Sequence, residues 1–368
     1  MQHPSQLMSI RSATSASMPL EEAMARLLAI VPVAPTLVPV RDGIGLVLAE
    51  DGVAPTDRPA EPRARRDGWA VAAGDVTGAS PYAPVTLRGP PPWVEDGDVL
   101  PPGTDTVLMP DAVGADGDIV ADAAQGEGIS RVGQEVARGD VLARAGERLT
   151  PLRALALLGA GIETVVVRSP HIHIVGIGRG SASAVADWVA AAGVRVTSSD
   201  SERDVDSIIA ALRVDGADAV FVVGGTGFGR ADHSAEALAR TGRLDAHGIA
   251  LHPGESAGYG RIGAVPVLLL PGRPDAALAT FLTLGRPLLA RLSGASPPEG
   301  VKGHLTRKIA STVGMSEVVF VRRTREGVEP IGGGDLPLRR LILAEGAVLV
   351  PPEREGYPEG EWIEIVPL

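Results

Sequence analysis

Two continuous runs of apolar residues mark the second half of the chain. Ala219–Val223 and Val265–Leu270 each stop abruptly at a segment rich in glycine or proline. Runs that are apolar on both faces are typical of buried parallel strands. Open α/β sheets bind their ligands at the loops that follow the carboxyl ends of such strands. The two runs therefore predict a buried parallel sheet with a binding site at one edge.

The pattern around these runs alternates between strand and helix. Short apolar stretches separate segments whose apolar residues recur at helical spacing, and this alternation indicates a doubly wound sheet. The predicted strands are His171–Ile177, 194–197, Ala219–Val223, 249–251 and Val265–Leu270. The predicted helices are 181–192, 204–212, Ser234–Thr241 and 275–292. We therefore expect one doubly wound α/β domain here.

The segments on either side follow other patterns. A proline and two acids begin a predicted helix at Leu20, and Thr150 with Pro151 begins another over 149–159. Between these helices prolines interrupt any helical pattern, so the short apolar stretches there indicate strands. The predicted fold is thus multidomain, α/β plus β. Its parts are a disordered N-terminus over 1–18, a helical linker domain over 19–51 and 147–168, a small inserted β domain over 52–146, the α/β domain over 169–293 and a small barrel-like C-terminal β domain over 301–368.

Composition narrows the class of protein. The chain has 368 residues, of which 45% are hydrophobic and 21% charged, a balance typical of globular proteins with several domains. A net charge of −11 argues against a general nucleic-acid binder, and no stretch is apolar enough to span a membrane. The absence of cysteine excludes disulfides, thiolate metal sites and cysteine nucleophiles. We therefore expect a cytoplasmic protein with no nucleic-acid or membrane partner.

The segment after the first apolar run, residues 224–232, is here called the glycine loop. Its four glycines are Gly224, Gly225, Gly227 and Gly229. They remove Cβ atoms where backbone N–H groups can close on an anion. Asp232 follows in the same turn, and its carboxylate suits a metal ion or orients a polar group. For the glycines alone, the alternative is a plain tight turn between a strand and a helix.

The segment after the second run, residues 271–274, is here called the arginine loop. It holds Arg273 between prolines, and a guanidinium fixed in a rigid turn suits phosphate or another oxyanion. A second basic segment, Arg63-Ala-Arg-Arg66, leads into Asp67 and Gly68. It is interpreted either as a positive wall against an anionic ligand or as a solvated loop.

Two further motifs predict other chemistries on weaker grounds. A strand runs into glycines and a helix over 171–180, with Asp200 at the end of the next strand, as in dinucleotide-binding folds. Its third glycine comes one position early for that fingerprint. Residues 254–258 match G-x-S-x-G, but a turn into a strand follows, whereas a nucleophile elbow requires a helix. Both remain alternatives to an anion site.

The order of the motifs resembles that of the molybdopterin molybdenumtransferases, the family that includes the bacterial MoeA proteins and the E domain of gephyrin. The segment Asp67-Gly-Trp-Ala-Val resembles the family's MDGYAV, and Pro102-Gly-Thr-Asp-Thr-Val-Leu-Met resembles its GADAVV. The glycine loop is similar to GGVSxGxxD, His252-Pro-Gly to KPGKP, and the arginine loop to PGNP. The resemblance runs from about Leu20 to the C-terminus.

This resemblance implies an elongated homodimer whose site lies between the α/β domain of one subunit and the inserted domain of the other. It implies the insertion of molybdate into adenylylated molybdopterin, with Mg²⁺ and with release of AMP. The implied catalytic residues are Asp67, which the partner subunit supplies, and Asp232, which also binds Mg²⁺. The implied ligand-binding residues are Gly224, Gly225, Thr226, Gly227, Gly229, Pro253, Gly254, Pro271, Gly272 and Pro274. Three arginines that depart from the family's pattern are added for their positive charge, Arg273 as a catalytic residue and Arg66 and Arg179 as ligand-binding residues.

Several positions depart from the family's pattern. The acidic TGDEL segment is here Gly178-Arg-Gly-Ser-Ala, and the two lysines of KPGKP are His252 and Glu255. The asparagine of PGNP is Arg273. Loss of a carboxylate weakens a Mg²⁺ site, and loss of two lysines removes charge that holds oxyanions. The sequence thus leaves two hypotheses, an active transferase and a catalytically degenerate protein that binds or carries molybdopterin or the finished cofactor.

Overall fold

The computed structural model describes residues 17–178, 180–297 and 300–368. Its helices are α1 (Leu20–Leu27), α2 (Pro151–Gly159), α3 (Ala182–Ala191), α4 (Val205–Leu212), α5 (Ser234–Thr241), α6 (Pro274–Thr280), α7 (Arg286–Ser293) and α8 (Leu338–Leu341), with 3₁₀ turns at Ala73–Val76 and Pro110–Ala112 and a π-helical turn at Phe281–Gly285. None of the helices in the described ranges is long and apolar enough to cross a lipid bilayer.

The strands are numbered in chain order. They are β1 (Met18–Pro19), β2 (Thr36–Pro39), β3 (Val47–Leu48), β4 (Gly52–Val53), β5 (Arg63–Ala64), β6 (Gly68–Val71), β7 (Trp93–Val94), β8 (Thr106–Leu108), β9 (Ile129–Ser130), β10 (Val141–Ala143), β11 (Thr164–Arg168), β12 (His171–Ile177), β13 (Arg195–Ser201), β14 (Ala219–Val223), β15 (Arg243–His247), β16 (Ile249–His252), β17 (Gly258–Ile262), β18 (Val265–Leu270), β19 (Val301–His304), β20 (Ile309–Ala310), β21 (Ser316–Arg323), β22 (Val328–Gly332), β23 (Gly346–Val350), β24 (Gly356–Tyr357) and β25 (Trp362–Pro367).

The central sheet has six strands in the order β13-β12-β14-β18-β17-β15, and its first four strands are parallel. Alternate side chains of β14 point to opposite faces: Phe221 packs with α3 and α6, whereas Val222 packs with α4 and α5. Both faces of the sheet centre are covered by helices, so β14 and β18 are apolar throughout. The doubly wound α/β fold predicted from the sequence is confirmed.

Strands β14 and β18 end at the same edge of this sheet. Their parallel register pairs Val223 with Leu270, the last residue of each strand. The glycine loop and the arginine loop therefore leave the sheet side by side. Helix α6 begins directly after the arginine loop, with Pro274 in its first turn. A proline fits there because the first N–H groups of a helix have no partner within the helix.

The prediction that 249–251 belongs to the doubly wound sheet is wrong. Strand β16 lies instead between β1 and β21, where Ile249 pairs with Met18 and Leu251 pairs with Ser316. The place beside β18 is taken by β17, which reaches β18 through a tight hairpin and lies antiparallel to it. Strand β16 thereby joins the α/β region to the C-terminal sheet. Disorder is predicted over 1–18, and residues 1–16 of this segment lie outside the described residues. Met18 is part of β1.

The helix predicted over 275–292 is interrupted. It consists of α6, the π-helical turn and α7. The physical reason is Pro287, which has no N–H to donate to the carbonyl group of Thr283 four residues earlier. In the preceding turn, the Thr283 hydroxyl donates to the Ala279 carbonyl oxygen, at 2.8 Å.

Outside the central sheet, the chain forms smaller β assemblies. The C-terminal sheet runs in the order β1-β16-β21-β23-β25-β19, with β22 paired to β21, and encloses its own apolar cluster around Val321 and Val348. Residues between β4 and β10 form short sheets, β7-β6-β8 and β5-β9, as expected for a segment rich in proline. Helix α1 packs Leu20 and Leu27 into the same apolar cluster as the central sheet.

Candidate active site

A cavity of about 730 Å³ lies at the carboxyl ends of the parallel strands. Its walls are the glycine loop, the arginine loop, the loop that joins β16 to β17, and Asp335 from the C-terminal region. The location agrees with the rule that open α/β sheets bind ligands beyond the carboxyl ends of their strands. The sequence therefore predicted the edge of the sheet at which the cavity lies.

The glycine loop is positioned by contacts within it and with its neighbours Ile177 and Ser234. Gly224 has a φ of +96°, and a Cβ added there would lie 2.9 Å from the Ile177 carbonyl oxygen. The hydroxyl group of Ser234 donates to the Gly224 carbonyl oxygen, at 2.8 Å. Asp232 accepts a hydrogen bond from the Gly229 N–H through Oδ2, at 3.1 Å. These contacts place Gly224, Gly225, Thr226, Gly227 and Asp232 on the cavity wall.

The arginine loop packs against the glycine loop but is held from outside. A Cβ added at Gly272 would lie 3.4 Å from the Gly224 Cα, so the two backbones are in near contact. The Ser181 hydroxyl donates to the Gly272 carbonyl oxygen, at 3.1 Å. Arg273 forms an ion pair with Asp335, and its Nε lies 3.6 Å from Oδ1 of Asp275. Pro271, Gly272, Arg273 and Pro274 all line the cavity.

A third wall is the loop between β16 and β17. His252 Nδ1 lies 2.5 Å from Oε1 of Glu255, so the two residues that replace the family's lysines bind each other. Burial raises the pKa of Glu255, but hydrogen bonds from His252 and from the N–H groups of Glu255 and Gly254 outweigh it, so this pKa lies below its ordinary value. The Ser256 hydroxyl lies 3.3 Å from the hydroxyl of Thr226.

The charges around the cavity nearly balance. The cationic side chains are Arg203, Arg273 and, when protonated, His252, and the acidic ones are Asp232, Glu255 and Asp335. Arg203 approaches the loop that follows β12. A Cβ added at Gly178 in that loop would lie 2.7 Å from the Arg203 Nε. Among the described residues, no three His, Cys, Asp or Glu side chains converge to hold a metal ion.

Some predicted site residues do not line this cavity. Arg179 lies outside the described residues. Gly229 supports the loop through its hydrogen bond to Asp232, and Pro253 is buried behind the wall. The other two, Arg66 and Asp67, belong to the segment between β5 and β6.

Arg66 and Asp67 make contacts within the inserted segment. The Arg66 Nε donates to the Val107 carbonyl oxygen at 3.0 Å, and Nη2 donates to Glu127 at 3.1 Å. The hydrogen bond from Arg66 is the main reason why the pKa of Glu127 lies below its ordinary value. Asp67 accepts a hydrogen bond from the Asp96 N–H, at 2.8 Å. Within one chain, neither side chain reaches the cavity.

Among the charged residues of the cavity wall, sequence reasoning missed Arg203 and Asp335, and it considered Ser256 only as a possible nucleophile. Arg203 follows β13, so the same rule that located the other loops points to it. Asp335 follows three glycines, Gly332 to Gly334, which was an available signal for a close backbone approach. Ser256 is followed by a strand and not by a helix, which removes the nucleophile elbow as a candidate.

Comparison with known proteins identifies the family. The chain matches the model of the MoeA N-terminal region (domain I and II) over residues 18–161. It matches the model described as "Probable molybdopterin binding domain" over 179–291, and that of the MoeA C-terminal region (domain IV) over 302–368. The three matches follow one another in order and cover most of the chain.

Relatives and solved structures agree with these matches. The chain is 29% identical to a molybdopterin molybdenumtransferase 2 of Mycobacterium tuberculosis, over 72% of this chain and 76% of that relative. It is 26% identical to a molybdopterin molybdenumtransferase of Haemophilus influenzae, over 87% and 91% respectively. A crystal structure of a MoeA protein from Pyrococcus horikoshii superposes with a TM-score of 0.77 and 27% identity, covering 95% of this chain and 99% of that one. The chain therefore belongs to the MoeA family of molybdopterin molybdenumtransferases, as a divergent member.

Proposed function

We propose that the protein acts in molybdenum cofactor biosynthesis by inserting molybdate into adenylylated molybdopterin, with release of AMP. The observation that carries this proposal is that the glycine loop and Arg273 line one cavity at the carboxyl edge of the sheet. A volume of about 730 Å³ lies within the usual range for a small-molecule site. The family assignment supplies the substrate class.

The glycine loop would bind the phosphate of the substrate. Gly224, Gly225 and Gly227 have no side chains, so their backbone can approach an oxyanion closely. Thr226 is buried and its hydroxyl is already oriented by Ser256. The wall is therefore shaped before a ligand arrives, which reduces the entropy lost on binding.

The two arginines on the cavity would bind oxyanions directly. A guanidinium presents a planar set of N–H donors that matches two oxygens of a phosphate or of molybdate. Arg273 comes from the arginine loop and Arg203 from the segment after β13. Together they supply positive charge at a site where the family's lysines are replaced by His252 and Glu255.

Asp232 fits a role as a magnesium ligand. Its Oδ2 accepts a hydrogen bond from the Gly229 N–H, and the residue lines the cavity beside the glycine loop. Magnesium is often held by one or two carboxylates together with substrate phosphates and water, so one carboxylate beside a phosphate site is sufficient. When bound, the cation would neutralise phosphate charge near the leaving AMP.

The site would be completed by a second subunit. Asp67 and Arg66 do not reach the cavity of their own chain, so their proposed roles require a homodimer. Helix α2 exposes Leu152 and Leu155, at 75% and 67%, an apolar stripe that a subunit interface would cover. Light scattering of the Leu152→Ser/Leu155→Ser variant tests this stripe, since a monomer is expected. The cytoplasmic location remains a prediction.

A second candidate function is a molybdopterin or cofactor binding protein without insertion activity. It is favoured by Arg203, which places a cation against Gly178, where the family has an acidic segment. A cation there repels a metal ion and therefore disfavours the binding of Mg²⁺. Pterin binding would still be possible because the glycine loop is intact.

The experiment is genetic complementation of a strain that lacks its own transferase, followed by an assay of the purified protein. The assay measures AMP release from adenylylated molybdopterin as a function of molybdate and Mg²⁺. We expect wild type to complement, and Asp232→Ala and Asp67→Ala each to abolish cofactor maturation. Asp215→Asn, an exposed aspartate at the opposite end of the sheet, is the matched control and should complement.

The outcomes separate the two candidate functions. Tight binding of molybdopterin without AMP release would favour the binding protein, and turnover eliminates it. Full activity in both aspartate variants would rule out their proposed roles. If only Asp67→Ala remained active, the contribution of the partner subunit would be withdrawn and the role of Asp232 retained.

A further inference from the structure

Arg273 already has an anionic partner, and that partner comes from a distant part of the chain. Its guanidinium is paired with the carboxylate of Asp335. Both side chains line the cavity. Asp335 belongs to residues 332–337, here called the C-terminal loop, between β22 and α8. A carboxylate therefore stands where the proposed function places an oxyanion of the ligand.

The C-terminal loop has one firm and one weak attachment to the α/β region. The firm attachment is Asp275, whose carboxylate is only 3% exposed and accepts a hydrogen bond from the Leu336 N–H at 3.1 Å. The weak attachment is the ion pair of Arg273 with Asp335, whose side chains are 54% and 84% exposed. Breaking the weak attachment leaves the firm one in place, so Asp335 can leave without detaching the loop.

The exposure of the ion pair favours the departure of Asp335. Exposed ion pairs contribute little to stability, because water competes for both charges. An oxyanion bound by Arg273 and by the backbone of the glycine loop makes more contacts than the Asp335 carboxylate does.

We propose that Asp335 is an internal counter-anion, which occupies Arg273 until the anionic group of a ligand replaces it. Asp335 thereby sets the affinity of the cavity for oxyanions and couples its occupancy to the C-terminal loop. The inference takes from the proposed function only that the ligand of the cavity carries an oxyanion. It does not require that the ligand is a pterin or that the protein catalyses a reaction. Asp335 is thus a residue that acts on the ligand through Arg273.

Displacement and simple charge repulsion predict different results for two anions of similar shape. Molybdate and perrhenate are both tetrahedral, but molybdate carries two negative charges and perrhenate one. If a bound anion displaces Asp335 from Arg273, the Asp335→Asn substitution increases the affinity for both anions by the same factor. The reason is that binding of either anion then no longer has to break the ion pair. If Asp335 stays and only repels, its removal helps molybdate more, because repulsion scales with the charge of the anion.

The experiment measures the Kd of each anion by isothermal titration calorimetry at fixed ionic strength. The variants are Asp335→Asn, Arg273→Gln and the double variant. Asp335 has a φ of +55°, which asparagine also tolerates, so Asp335→Asn keeps the shape of the loop. Asp215→Asn is the control, since it removes the same charge from an exposed site far from the cavity.

We expect Asp335→Asn to tighten the binding of both anions by the same factor, about fivefold, which corresponds to one exposed ion pair. Arg273→Gln should weaken both and abolish the gain from Asp335→Asn, and Asp215→Asn should change neither. The proposal is overturned if Asp335→Asn leaves both affinities unchanged or favours molybdate alone. It is also overturned if the gain survives in the Arg273→Gln background, or if neither anion binds Asp335→Asn.

The result is independent of the test of the proposed function. A protein that binds pterin without turnover still gives the equal gains if Asp335 is displaced. An active transferase whose Asp335→Asn variant binds both anions as wild type does would refute this inference alone.

Discussion

The glycine loop and the arginine loop follow neighbouring strands and touch at Gly224 and Gly272, yet they are stabilised in different ways. The glycine loop is held within the α/β region, by the Asp232 carboxylate, by the neighbouring Ser234 hydroxyl and by His247 on the Thr226 carbonyl oxygen. The arginine loop is held by Ser181 and also by Asp335 of the C-terminal loop, some sixty residues further along the chain. One loop therefore depends on contacts close to it, and the other depends also on the C-terminal region.

The largest expected effect concerns the shape of the glycine loop. Gly224→Ala should destabilise the fold by about 3 kcal/mol, because strain at a positive φ adds to a close contact with the Ile177 carbonyl group. Urea unfolding measures it. The control is Gly216→Ala, which has a φ of +73° and open space around the added Cβ. Equal losses in the two variants would show that strain alone matters and that the contact with Ile177 does not.

The next effect concerns the C-terminal loop. Asp275→Asn should cost about 2 kcal/mol, because a buried carboxylate that accepts the Ala276 and Leu336 N–H groups is lost. Asp335→Asn should cost at most about 1 kcal/mol, since its ion pair is exposed. Urea unfolding of both variants compares the two attachments of one loop. If Asp335→Asn were the more destabilising, the ion pair with Arg273 would be the firmer attachment of the loop, and the hydrogen bond to Asp275 the weaker one.

The same difference explains how far the sequence could predict the site. The glycine loop was predicted because its turn, its glycines and Asp232 lie within nine residues. The ion pair of Arg273 was not predicted, because Asp335 is brought near by β16, and the sequence pattern had placed that strand in the wrong sheet. Local chemistry can be read from spacing, whereas a contact between domains depends on how their sheets are joined.

The fold shows the same limit. Continuous apolar runs correctly predicted β14 and β18, and the N-cap at Thr150 correctly predicted the start of α2. Strand β15, Arg243–His247, was missed because its residues are half-exposed and carry no continuous apolar run. The antiparallel hairpin that excludes β16 from the central sheet was therefore not anticipated. Edge strands are specified by their neighbours more than by their own pattern.

A smaller effect on stability is expected when either hydroxyl group that supports one of the two loops is removed. Ser234→Ala should cost about 1 kcal/mol, because a fully buried hydroxyl that donates to the Gly224 carbonyl group is removed. Ser181→Ala removes a longer hydrogen bond, of 3.1 Å to the Gly272 carbonyl oxygen, and should cost less. Urea unfolding of the two alanine variants provides the comparison. A larger loss for Ser181→Ala would mean that the arginine loop depends more on its hydroxyl contact than the glycine loop does.

The smallest effect concerns the loop between β16 and β17, where His252 and Glu255 form a pair that is local and half-buried. Because the pKa of Glu255 is depressed in the folded protein, its contribution to stability is present above the unfolded pKa and is lost as the pH falls through the folded pKa. Glu255→Gln should therefore be less stable than wild type by a few tenths of a kcal/mol at pH 7. The difference should begin to shrink near the ordinary pKa of 4.5 and vanish only below the lower, folded pKa. Urea unfolding from pH 7 down to about pH 3 measures it, with Glu353→Gln as an exposed control outside the cavity. A deficit that stayed constant across the whole range would contradict an electrostatic origin and assign the pair a packing role instead.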